Sequence, residues 1–570
     1  MTAAPARLHW TEGERLPAPV REKLLGAGAP FEMRRESVLG RAPVDVFVQR
    51  PPNVPALLVR AVAAHAARAY LAFPDEELTY RQVDDETARI AATLVADHGV
   101  RPGDRVALLA ANTAEHVLAF WAVLKAGAVV VGLNGWWTAA EVQHGIAITT
   151  PTVVLVDGKR RDRLAGAAVP VVDLGELRAQ AAGAEALPAM AIDEDEPAMV
   201  MFTSGTSGQA KAATLTHRAL VHFGQASMLR GAVMAAAGAI APSSPQQTTA
   251  AEPRPQSSAL AVNPLFLVSG SVVLVIATWT GGRVVFVPPG RWDPTTHLER
   301  TVQHGITSWS GVPTQLSQLV DHPRLADYDL SALRTISSGG AAMPPVLLQR
   351  FRERLPQASV GSGYGASETA GIGTGIGGAE YLAHPTSVGG ANPTAEIEVR
   401  RADGTLAEEG EVGEIFVRSA CVLAGYWGDD DATAAVIDAD GWYATGDFGW
   451  VHDGRLYLEG RRRDRIIRGG ENVSPLEIEH RIREHADVDD VAVIGVPDDV
   501  LGQRVVAVVV ARTGARRDPD AVRAWVGEAL APFKVPAEVA FVDELPMTAT
   551  GKVRKTELEH QWSVAPPPTA

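Results

Sequence analysis

The sequence is poor in cysteine and in long apolar runs, and each shortage excludes a class of protein. Its single cysteine, Cys421, cannot form an internal disulfide or supply a cysteine-rich metal site. The longest apolar stretches, Ala126–Leu133 and Val272–Thr278, are too short to cross a bilayer. The first 21 residues lack the continuous apolar core of a secretory signal. We therefore expect a cytoplasmic protein without an integral membrane segment.

Basic residues are also scarce. The chain carries 67 acidic and 52 basic residues, a formal charge of −15. This balance argues against nucleic acid or an anionic membrane as the main partner. The net charge does not exclude ligands that contain phosphate, because local geometry rather than net charge creates phosphate-binding sites. Only seven basic residues are lysines, Lys211 and Lys552 among them, and arginine cannot replace a compact ammonium charge.

A chain of 570 residues is too long for one compact core, so several core units are expected. Arg105–Ala110 reads as a buried strand, a helix capped by Thr113 runs through Lys125, and Ala128–Leu133 reads as a second strand. Strand, helix and strand in this order predict a βαβ unit, and hence a parallel sheet covered by helices.

The character of the chain changes after residue 411. Segments such as Glu414–Arg418 alternate between apolar and polar residues and are separated by Asp-Gly turns, which predicts antiparallel β structure. Beyond Gly460, a helix over Pro475–Arg483 and a strand over Glu538–Val542 predict a small α+β unit.

The fold class is therefore α/β, with a large N-terminal domain and a small C-terminal one. The large domain, residues 1–461, is expected to contain parallel α/β subdomains and a small β-barrel-like part. Residues 235–258 are poor in large apolar side chains and predict a mobile surface loop within it. A small α+β domain is expected over residues 462–570.

A glycine- and hydroxyl-rich segment follows the apolar run Ala198–Phe202. Its glycines let several backbone N–H groups point at one anion, its hydroxyls add donors, and its lysine adds charge. This pattern predicts a polyphosphate cradle rather than a flexible linker. It is not a Walker P-loop, because alanine precedes the lysine. The residues concerned are Thr203, Ser204, Gly205, Thr206, Ser207, Gly208 and Lys211.

Three further segments carry groups suited to a nucleotide. Tyr364-Gly-Ala-Ser-Glu-Thr369 offers a ring for stacking and a carboxylate for Mg²⁺, although a polar turn would look the same. Tyr443-Ala-Thr-Gly-Asp447 offers an acidic residue for ribose hydroxyls, or simply a turn aspartate. Pro546-Met-Thr-Ala-Thr-Gly-Lys-Val-Arg554 presents one ammonium group on a turn, or a solvated basic tail.

In this order and at these distances, the motifs resemble the adenylate-forming (ANL) superfamily of acyl-CoA and aryl-CoA synthetases, peptide-synthetase adenylation domains and beetle luciferases. The resemblance extends from Leu78-Thr-Tyr80 to Leu558. The sequence is most similar to acyl-CoA synthetases of the fatty-acid type, through Leu133-Asn-Gly-Trp-Trp137 and Arg463-Asp-Arg-Ile-Ile-Arg-Gly-Gly-Glu-Asn472.

The resemblance implies an ATP-dependent ligase that forms an acyl-adenylate, releases pyrophosphate and passes the acyl group to coenzyme A. Lys552 would bridge the attacking carboxylate and the α-phosphate, Ser367 would touch that phosphate, and Glu368 would bind Mg²⁺. The phosphate loop would hold the β- and γ-phosphates. The remaining implied nucleotide contacts are Gly340, Ala341, Ala342, Tyr364 and Gly365 at the adenine, and Asp447 and Arg461 at the ribose.

The resemblance also implies a mobile small domain. It would rotate about a hinge near Arg463, withdraw Lys552 after adenylation and bring Gly469 and Gly470 to the site for the thiol step. The implied acyl pocket contains Phe266, Leu267, Gly339, Gly361 and Gly363.

The chain departs from the family pattern at two places. Alanines at 210 and 212 stand where the phosphate loop usually has proline and glycine, which loosens the expected turn. Leu267 stands where acyl-activating relatives often have histidine and amino-acid-activating relatives have aspartate. Leucine cannot pair with a substrate ammonium, which disfavours an amino-acid substrate. An apolar acid is expected, either fatty or bulky and cyclic or aromatic.

Two other functions share these motifs. One is an acyl-adenylate ligase that loads a carrier protein or another nucleophile, and only the acceptor separates it from a CoA ligase. The other is a non-catalytic nucleotide-binding scaffold, which the presence of Glu368 and Lys552 disfavours. The sequence leaves open the acid, the pathway and the oligomeric state, a homodimer included.

Overall fold

The structure is a computed structural model that describes residues 5–204, 210–236, 256–290, 292–461, 464, 466–468, 471–498, 500–548 and 551–564. Its strands, in chain order, are β1 (Arg7–His9), β2 (Met33–Glu36), β3 (Val44–Phe47), β4 (Ala69–Ala72), β5 (Glu77–Thr79), β6 (Arg105–Leu109), β7 (Val129–Gly132), β8 (Val153–Val156), β9 (Val171–Asp173), β10 (Pro197–Ser204), β11 (Ala210–Thr216), β12 (Ser258–Ala261), β13 (Arg283–Phe286), β14 (Ser308–Gly311), β15 (Thr335–Ser338), β16 (Ser359–Tyr364), β17 (Thr374–Gly377), β18 (Ser387–Ala391), β19 (Ala395–Arg400), β20 (Gly413–Ser419), β21 (Gly425–Tyr426), β22 (Tyr443–His452), β23 (Arg455–Arg461), β24 (Ile466–Arg468), β25 (Glu471–Val473), β26 (Val488–Asp498), β27 (Gly502–Ala511) and β28 (Glu538–Val542).

The α-helices lie between these strands and cover the sheets. They are α1 (Ala18–Leu25), α2 (Val54–His65), α3 (Tyr80–His98), α4 (Ala114–Lys125), α5 (Ala139–Thr149), α6 (Leu174–Ala181), α7 (His217–Ala236), α8 (Val268–Thr280), α9 (Pro294–His304), α10 (Pro313–Val320), α11 (Pro345–Arg354), α12 (Gly378–Ala383), α13 (Asp430–Ala434), α14 (Pro475–Arg483), α15 (Pro519–Gly527) and α16 (Lys555–Val564).

The predicted βαβ unit is present. Strands β6 and β7 run parallel, with Arg105 opposite Val129, and α4 connects them. Thr113 caps α4 by accepting a hydrogen bond from the backbone N–H of His116, as its position predicted. These strands belong to a seven-stranded sheet of order β21-β11-β10-β7-β6-β8-β9. Within that sheet, β10 and β11 pair antiparallel, on either side of the glycine-rich segment in the sequence.

A second sheet of fourteen strands provides the rest of the large domain. Its parallel part contains β12 to β16, and β16 then pairs antiparallel with β17. The antiparallel part predicted after residue 411 adjoins it through β18 and contains β23, β22 and β20; β19, which precedes residue 411, pairs with β20 and extends it. The predicted Asp-Gly turns at Gly404, Gly441 and Gly454 have left-handed backbones, which glycine adopts without strain.

The mobile loop predicted over 235–258 stays a prediction for most of its length. Helix α7 extends to Ala236 and β12 begins at Ser258, while residues 237–255 lie outside the described residues. Within the part of the chain that the structure describes, no helix is both long enough and apolar enough to span a bilayer.

The C-terminal part forms its own five-stranded sheet, of order β25-β24-β27-β26 with β28 beside β27. Helix α14 and strand β28 have the bounds that the sequence predicts. Helix α15 ends at Gly527, shortly before Pro532. A separate hydrophobic core, which includes Ile478 and Val493, lies between this sheet and its helices. The fold is thus α/β with a large N-terminal and a small C-terminal domain, and the boundary at 461 stays a prediction.

Candidate active site

The two residues predicted at the adenine and the ribose are in direct contact. Tyr364 ends β16, and its phenol donates a hydrogen bond of 2.9 Å to Oδ2 of Asp447 in β22. The backbone of Arg461 lies opposite Asp447 in the β22–β23 ladder, which places the two predicted ribose residues side by side. Residues 83 positions apart in the chain therefore form one edge of the candidate site.

The strands that flank the predicted phosphate loop, β10 and β11, are paired. Thr203 lies opposite Lys211 and Ser204 opposite Ala210 in the antiparallel ladder. Ala210 and Ala212 continue this ladder, so the two departures from the family pattern stand in regular strand. Gly205, Thr206, Ser207 and Gly208 lie outside the described residues.

Lys211 is linked to the metal-binding candidate through a tyrosine. Its Nζ lies 5.0 Å from the centre of the Tyr426 ring, a cation–π contact. The phenol of Tyr426 donates a hydrogen bond of 3.1 Å to Oε1 of Glu368. Burial and the nearby Glu368 carboxylate raise the pKa of Tyr426, so its phenol stays protonated and donates throughout the physiological range.

Glu368 is held in a short helical turn, Ser367–Thr369, directly after β16. The residue is 8% exposed, and its backbone carbonyl accepts from the N–H of Leu423 at 2.7 Å. Ser367 precedes it in the same turn and is half-buried. Sequence reasoning singled out Glu368 but missed Tyr426 as a site residue. The sequence signal for it is the run Gly425-Tyr-Trp427, which also resembles the superfamily pattern but implies no role for the tyrosine.

The loop that carries Lys552 reaches the large domain. Gly551 has a left-handed backbone, and a methyl group placed on it would lie 3.1 Å from Oγ1 of Thr314. A methyl group on Gly340, which is also left-handed, would lie 3.5 Å from Cε of Lys552 and 3.9 Å from its Nζ. Lys552 therefore lies against the predicted adenine segment, although the two are more than 200 residues apart in sequence.

The other residues predicted near the adenine differ in how tightly they are packed. A methyl group on Gly339 would have no atom of the described residues within 4 Å. Ala341 is exposed and Ala342 half-buried. Gly365 packs tightly instead, since a methyl group there would lie 2.2 Å from the carbonyl oxygen of Gly371. The glycine at 365 is thus required by close backbone approach.

The predicted acyl-pocket residues lie at the start of α8 and on β16. Leu267 is the N-cap residue of α8, without a side-chain cap, and Phe266 beside it is 5% exposed. The Phe266 ring meets the half-exposed Trp136 edge-on at 5.0 Å. Gly361 and Gly363 lie on β16, and a methyl group on either would meet only backbone atoms within 4 Å. Arg463, Gly469 and Gly470, predicted for the hinge and the thiol step, lie outside the described residues.

Comparison with known families accounts for this arrangement. The AMP-binding enzyme family matches residues 58–427, and the AMP-binding enzyme C-terminal domain matches residues 477–552. The chain belongs to the AMP-binding enzyme family. The resemblance that the motifs carry is thereby confirmed, and so is the fold class with its large and small domains.

Curated relatives of this AMP-binding enzyme cover nearly its whole length. A Mycobacterium tuberculosis propanoyl:CoA ligase, whose named acyl group carries a 7a-methyl-1,5-dioxo-octahydro-1H-inden-4-yl ring system, is 36% identical over 89% of this chain and 98% of its own. A feruloyl-CoA synthase from an Amycolatopsis species is 34% identical over 85% of this chain and 94% of its own.

Solved structures of similar proteins share the fold. MatB from Rhodopseudomonas palustris, bound to ATP, superposes with a TM-score of 0.78 at 28% identity and covers 90% of this chain and 99% of its own. o-Succinylbenzoate CoA synthetase from Bacillus subtilis, in complex with an acyl-adenylate, gives a TM-score of 0.77 at 28% identity, with 90% of this chain and 99% of its own covered.

Proposed function

We propose that this AMP-binding enzyme joins a compact, ring-bearing carboxylic acid to coenzyme A. The reaction is ATP-dependent ligation of an acid to CoA through an acyl-adenylate. One observation carries the assignment of its site. Lys552, on the small domain, lies against Gly340 of the large domain, close to the strand end that bears the Tyr364–Asp447 pair. This is the arrangement that an adenylating site needs, because a cation must reach the place where two anions meet.

In the first half-reaction, a carboxylate oxygen attacks the α-phosphorus of ATP, and pyrophosphate leaves with the electron pair of the broken P–O bond. The incoming carboxylate and the triphosphate repel each other. The ammonium groups of Lys552 and Lys211 offset this charge, the former at the reacting atoms and the latter at the phosphate hairpin. Asp447 and Tyr364 hold the nucleoside in place by hydrogen bonding and stacking.

The residues around Glu368 fit Mg²⁺ bound together with ATP. Among the described residues, no cluster of three or more acidic, histidine or cysteine side chains could hold a metal alone. Glu368 offers one buried carboxylate, and Mg²⁺ in nucleotide sites commonly binds one or two carboxylates plus phosphate oxygens. When bound, the ion neutralises phosphate charge and so makes pyrophosphate a better leaving group.

In the second half-reaction, the sulfur of coenzyme A attacks the acyl carbonyl carbon, and AMP leaves while the thiol proton goes to solvent or a base. Lys552 fills the side of the site at Gly340 during adenylation, so the thiol needs another approach. Rotation of the small domain about Arg463, which brings Gly469 and Gly470 to the site, supplies it.

The acid class rests on the shape of the slot beside the nucleotide and on the relatives. Side chains of α7 lie over the glycines of β17, since a methyl group on Gly375 would lie 2.7 Å from Nη1 of Arg230 and one on Gly377 2.8 Å from Cε of Met234. We infer that a slot for the acid lies between α7 and the glycines of β16 and ends at these two side chains. A short, wide acid fits such a slot better than a long alkyl chain. Several relatives are named for ring-bearing acids, including an indoleacetate–CoA ligase at 31% identity. Others at 29–31% identity are named for long-chain fatty acids.

The test is acid-dependent ATP–pyrophosphate exchange with a panel of arylpropanoic, bicyclic and straight-chain acids, followed by mass analysis of products formed with CoA. We expect exchange and CoA thioesters, with kcat/KM at least tenfold higher for ring-bearing acids than for a C16 fatty acid. A preference for the C16 acid would overturn the acid class. Exchange without thioester would favour a carrier protein or another acceptor, and no exchange with any acid would overturn the ligase.

Replacing Leu267 by aspartate should penalise apolar acids selectively. Leu267 occupies the N-cap position of α8, where aspartate is favoured and stabilises a helix by roughly 1 kcal/mol. The variant should therefore fold normally while placing a charge on the acyl side. We expect kcat/KM for the preferred acid to fall about 100-fold and KM for ATP to change less than threefold. A loss of ATP affinity with unchanged acid preference would show that the pocket lies elsewhere.

Replacing Tyr426 by phenylalanine removes the hydrogen bond to Glu368 but keeps the ring beneath Lys211. Groups that orient a metal-binding carboxylate typically contribute 10- to 100-fold to metal affinity or activity. We expect the Mg²⁺ concentration for half-maximal exchange to rise about tenfold. An unchanged Mg²⁺ dependence, measured at saturating ATP and acid, would contradict this positioning role.

A further inference from the structure

Four glycines form a bare face beside the nucleotide edge. In the antiparallel β16–β17 ladder, Gly361 lies opposite Gly377 and Gly363 opposite Gly375. Opposed residues, and residues two apart on one strand, point to the same side of a sheet. All four positions therefore present backbone rather than side chains to one side, and this side faces α7.

Helix α7 crosses this face with one stripe of side chains. Phe223, Ser227, Arg230 and Met234 follow the i, i+4, i+7, i+11 spacing of a single helix face. A methyl group on Gly371 would lie 3.6 Å from the Phe223 ring and 4.0 Å from Val268, the residue after Leu267. The stripe thus runs from the start of the acyl slot, near Glu368 and Leu267, to its far end at Arg230 and Met234.

Arg230 brings a positive charge to the far end of the stripe. A methyl group on Gly375 would lie 2.7 Å from its Nη1, so the guanidinium rests directly on the bare backbone of β17. Nη1 donates a hydrogen bond of 2.7 Å to Oδ1 of Asn392. Its Nη2 lies 3.8 Å from Oε1 of Glu12, and the side chain of Arg230 is 17% exposed.

The guanidinium of Arg230 has more donors than its neighbours use. An arginine offers five N–H donors. Among the described residues, Arg230 makes one side-chain hydrogen bond, to Asn392, and one longer ion pair, to Glu12. A charged group placed in a substrate slot costs free energy unless something in the slot uses it. An acid that is hydrocarbon throughout would leave these donors facing an apolar group.

We propose that Arg230 is a specificity-determining residue that donates a hydrogen bond to a carbonyl oxygen on the ring system of the acid, remote from the carboxyl that is activated. The inference rests on the proposed function and deepens it, because it narrows the substrate to oxo-substituted cyclic acids. Glu12 already offsets part of the guanidinium charge, so a neutral carbonyl oxygen fits better than a second carboxylate.

The test uses a bicyclic propanoic acid that carries a ring ketone, and the same acid with a methylene group in its place. The wild-type enzyme should prefer the ketone. Arg230→Met, which keeps the length and loses the donors, should lower kcat/KM for the ketone about 10- to 100-fold, mainly through KM. The methylene acid should lose at least tenfold less, and Arg230→Lys should retain part of the preference.

Arg60→Met is the matched control, because Arg60 is exposed and stacks on Trp279 outside the slot. Titration calorimetry of both acids with each variant adds a readout that does not need turnover. Equal losses for the two acids in a folded Arg230→Met variant, or no loss, would overturn the inference. If calorimetry shows a preference for the ketone in an enzyme that forms no thioester, the specificity role of Arg230 is supported and only the proposed reaction is overturned.

Discussion

Replacing Lys552 by alanine should lower the rate of acyl-adenylate formation by about 100- to 1,000-fold, as expected when a charged partner of the transition state is removed. The structure supplies the reason, because Lys552 lies within contact distance of Gly340 and its loop is docked at Thr314. Given synthetic acyl-adenylate, the same variant should form the CoA thioester within a few-fold of the wild-type rate. Acid-dependent ATP–pyrophosphate exchange and single-turnover thioester formation measure the two steps separately.

Arg554→Ala is the matched control for Lys552. Arg554 lies two residues further along the same loop, is more than half exposed and pairs with Glu557 at 3.4 Å within the small domain. Its removal should leave both half-reactions unchanged. Near-normal pyrophosphate exchange in Lys552→Ala would show that this lysine is a solvated basic residue without a role in adenylation. A collapse of both half-reactions in a folded variant would contradict alternation of the small domain.

Replacing Glu368 by glutamine should lower both pyrophosphate exchange and net turnover by about 100-fold and raise the Mg²⁺ requirement. Glutamine keeps the size of the side chain and can still accept a hydrogen bond from Tyr426 through its amide oxygen. The loss would therefore report the missing carboxylate charge rather than a packing defect. Activity against Mg²⁺ concentration, at fixed ATP and acid, separates the metal requirement from the maximal rate.

Glu380→Gln provides the control for this substitution. Glu380 is a carboxylate on α12 that pairs with Arg455 at 2.9 Å near the surface, away from the phosphate hairpin. We expect its loss to change exchange less than twofold, because partly exposed ion pairs contribute little. Wild-type activity and Mg²⁺ dependence in Glu368→Gln would show that another group holds the metal.

Much of the fold was predictable because its signals are local. Thr113 caps α4 and buried β-branched runs flank it, so β6, α4 and β7 follow from neighbouring residues alone. The same holds for α14 and β28, whose bounds match those predicted. The pairing of β18 with both β17 and β23, which joins the antiparallel strands to the parallel sheet, was not predictable. It depends on strands distant in sequence meeting edge to edge, for which the chain carries no local signal.

The candidate site shows the same difference between residues with a local sequence signal and residues placed by packing. Glu368, Asp447 and Lys552 stand in short motifs whose residue types suit metal, ribose and carboxylate, so sequence reasoning found them. Tyr426 was missed as a site residue, because a tyrosine after glycine is also ordinary core, and here it is 7% exposed. Only the packing of β21 beside β11 places its ring over Lys211 and its phenol on Glu368.

The acyl slot shows the difference most clearly. The sequence alone allows two interpretations of the glycines at 371, 373, 375, 377 and 378, as room for a bulky acid or as a flexible turn. In the structure, Gly375 and Gly377 belong to strand β17 and lie under Arg230 and Met234, while Gly373 permits close approach to the backbone of Tyr364. Neither interpretation anticipated an arginine from a helix some 145 residues earlier.

The sequence by itself thus determined the family and the chemistry of activation, and it predicted the residues that bear this chemistry, since these depend on residue type and spacing within short motifs. Tertiary structure decided which of those residues meet: Tyr364 with Asp447, Glu368 with Tyr426, and Lys552 with Gly340. It also decided what lines the slot for the acid. The physical reason is that a slot is made by side chains from elements far apart in the chain, and their distances are set by packing rather than by local sequence.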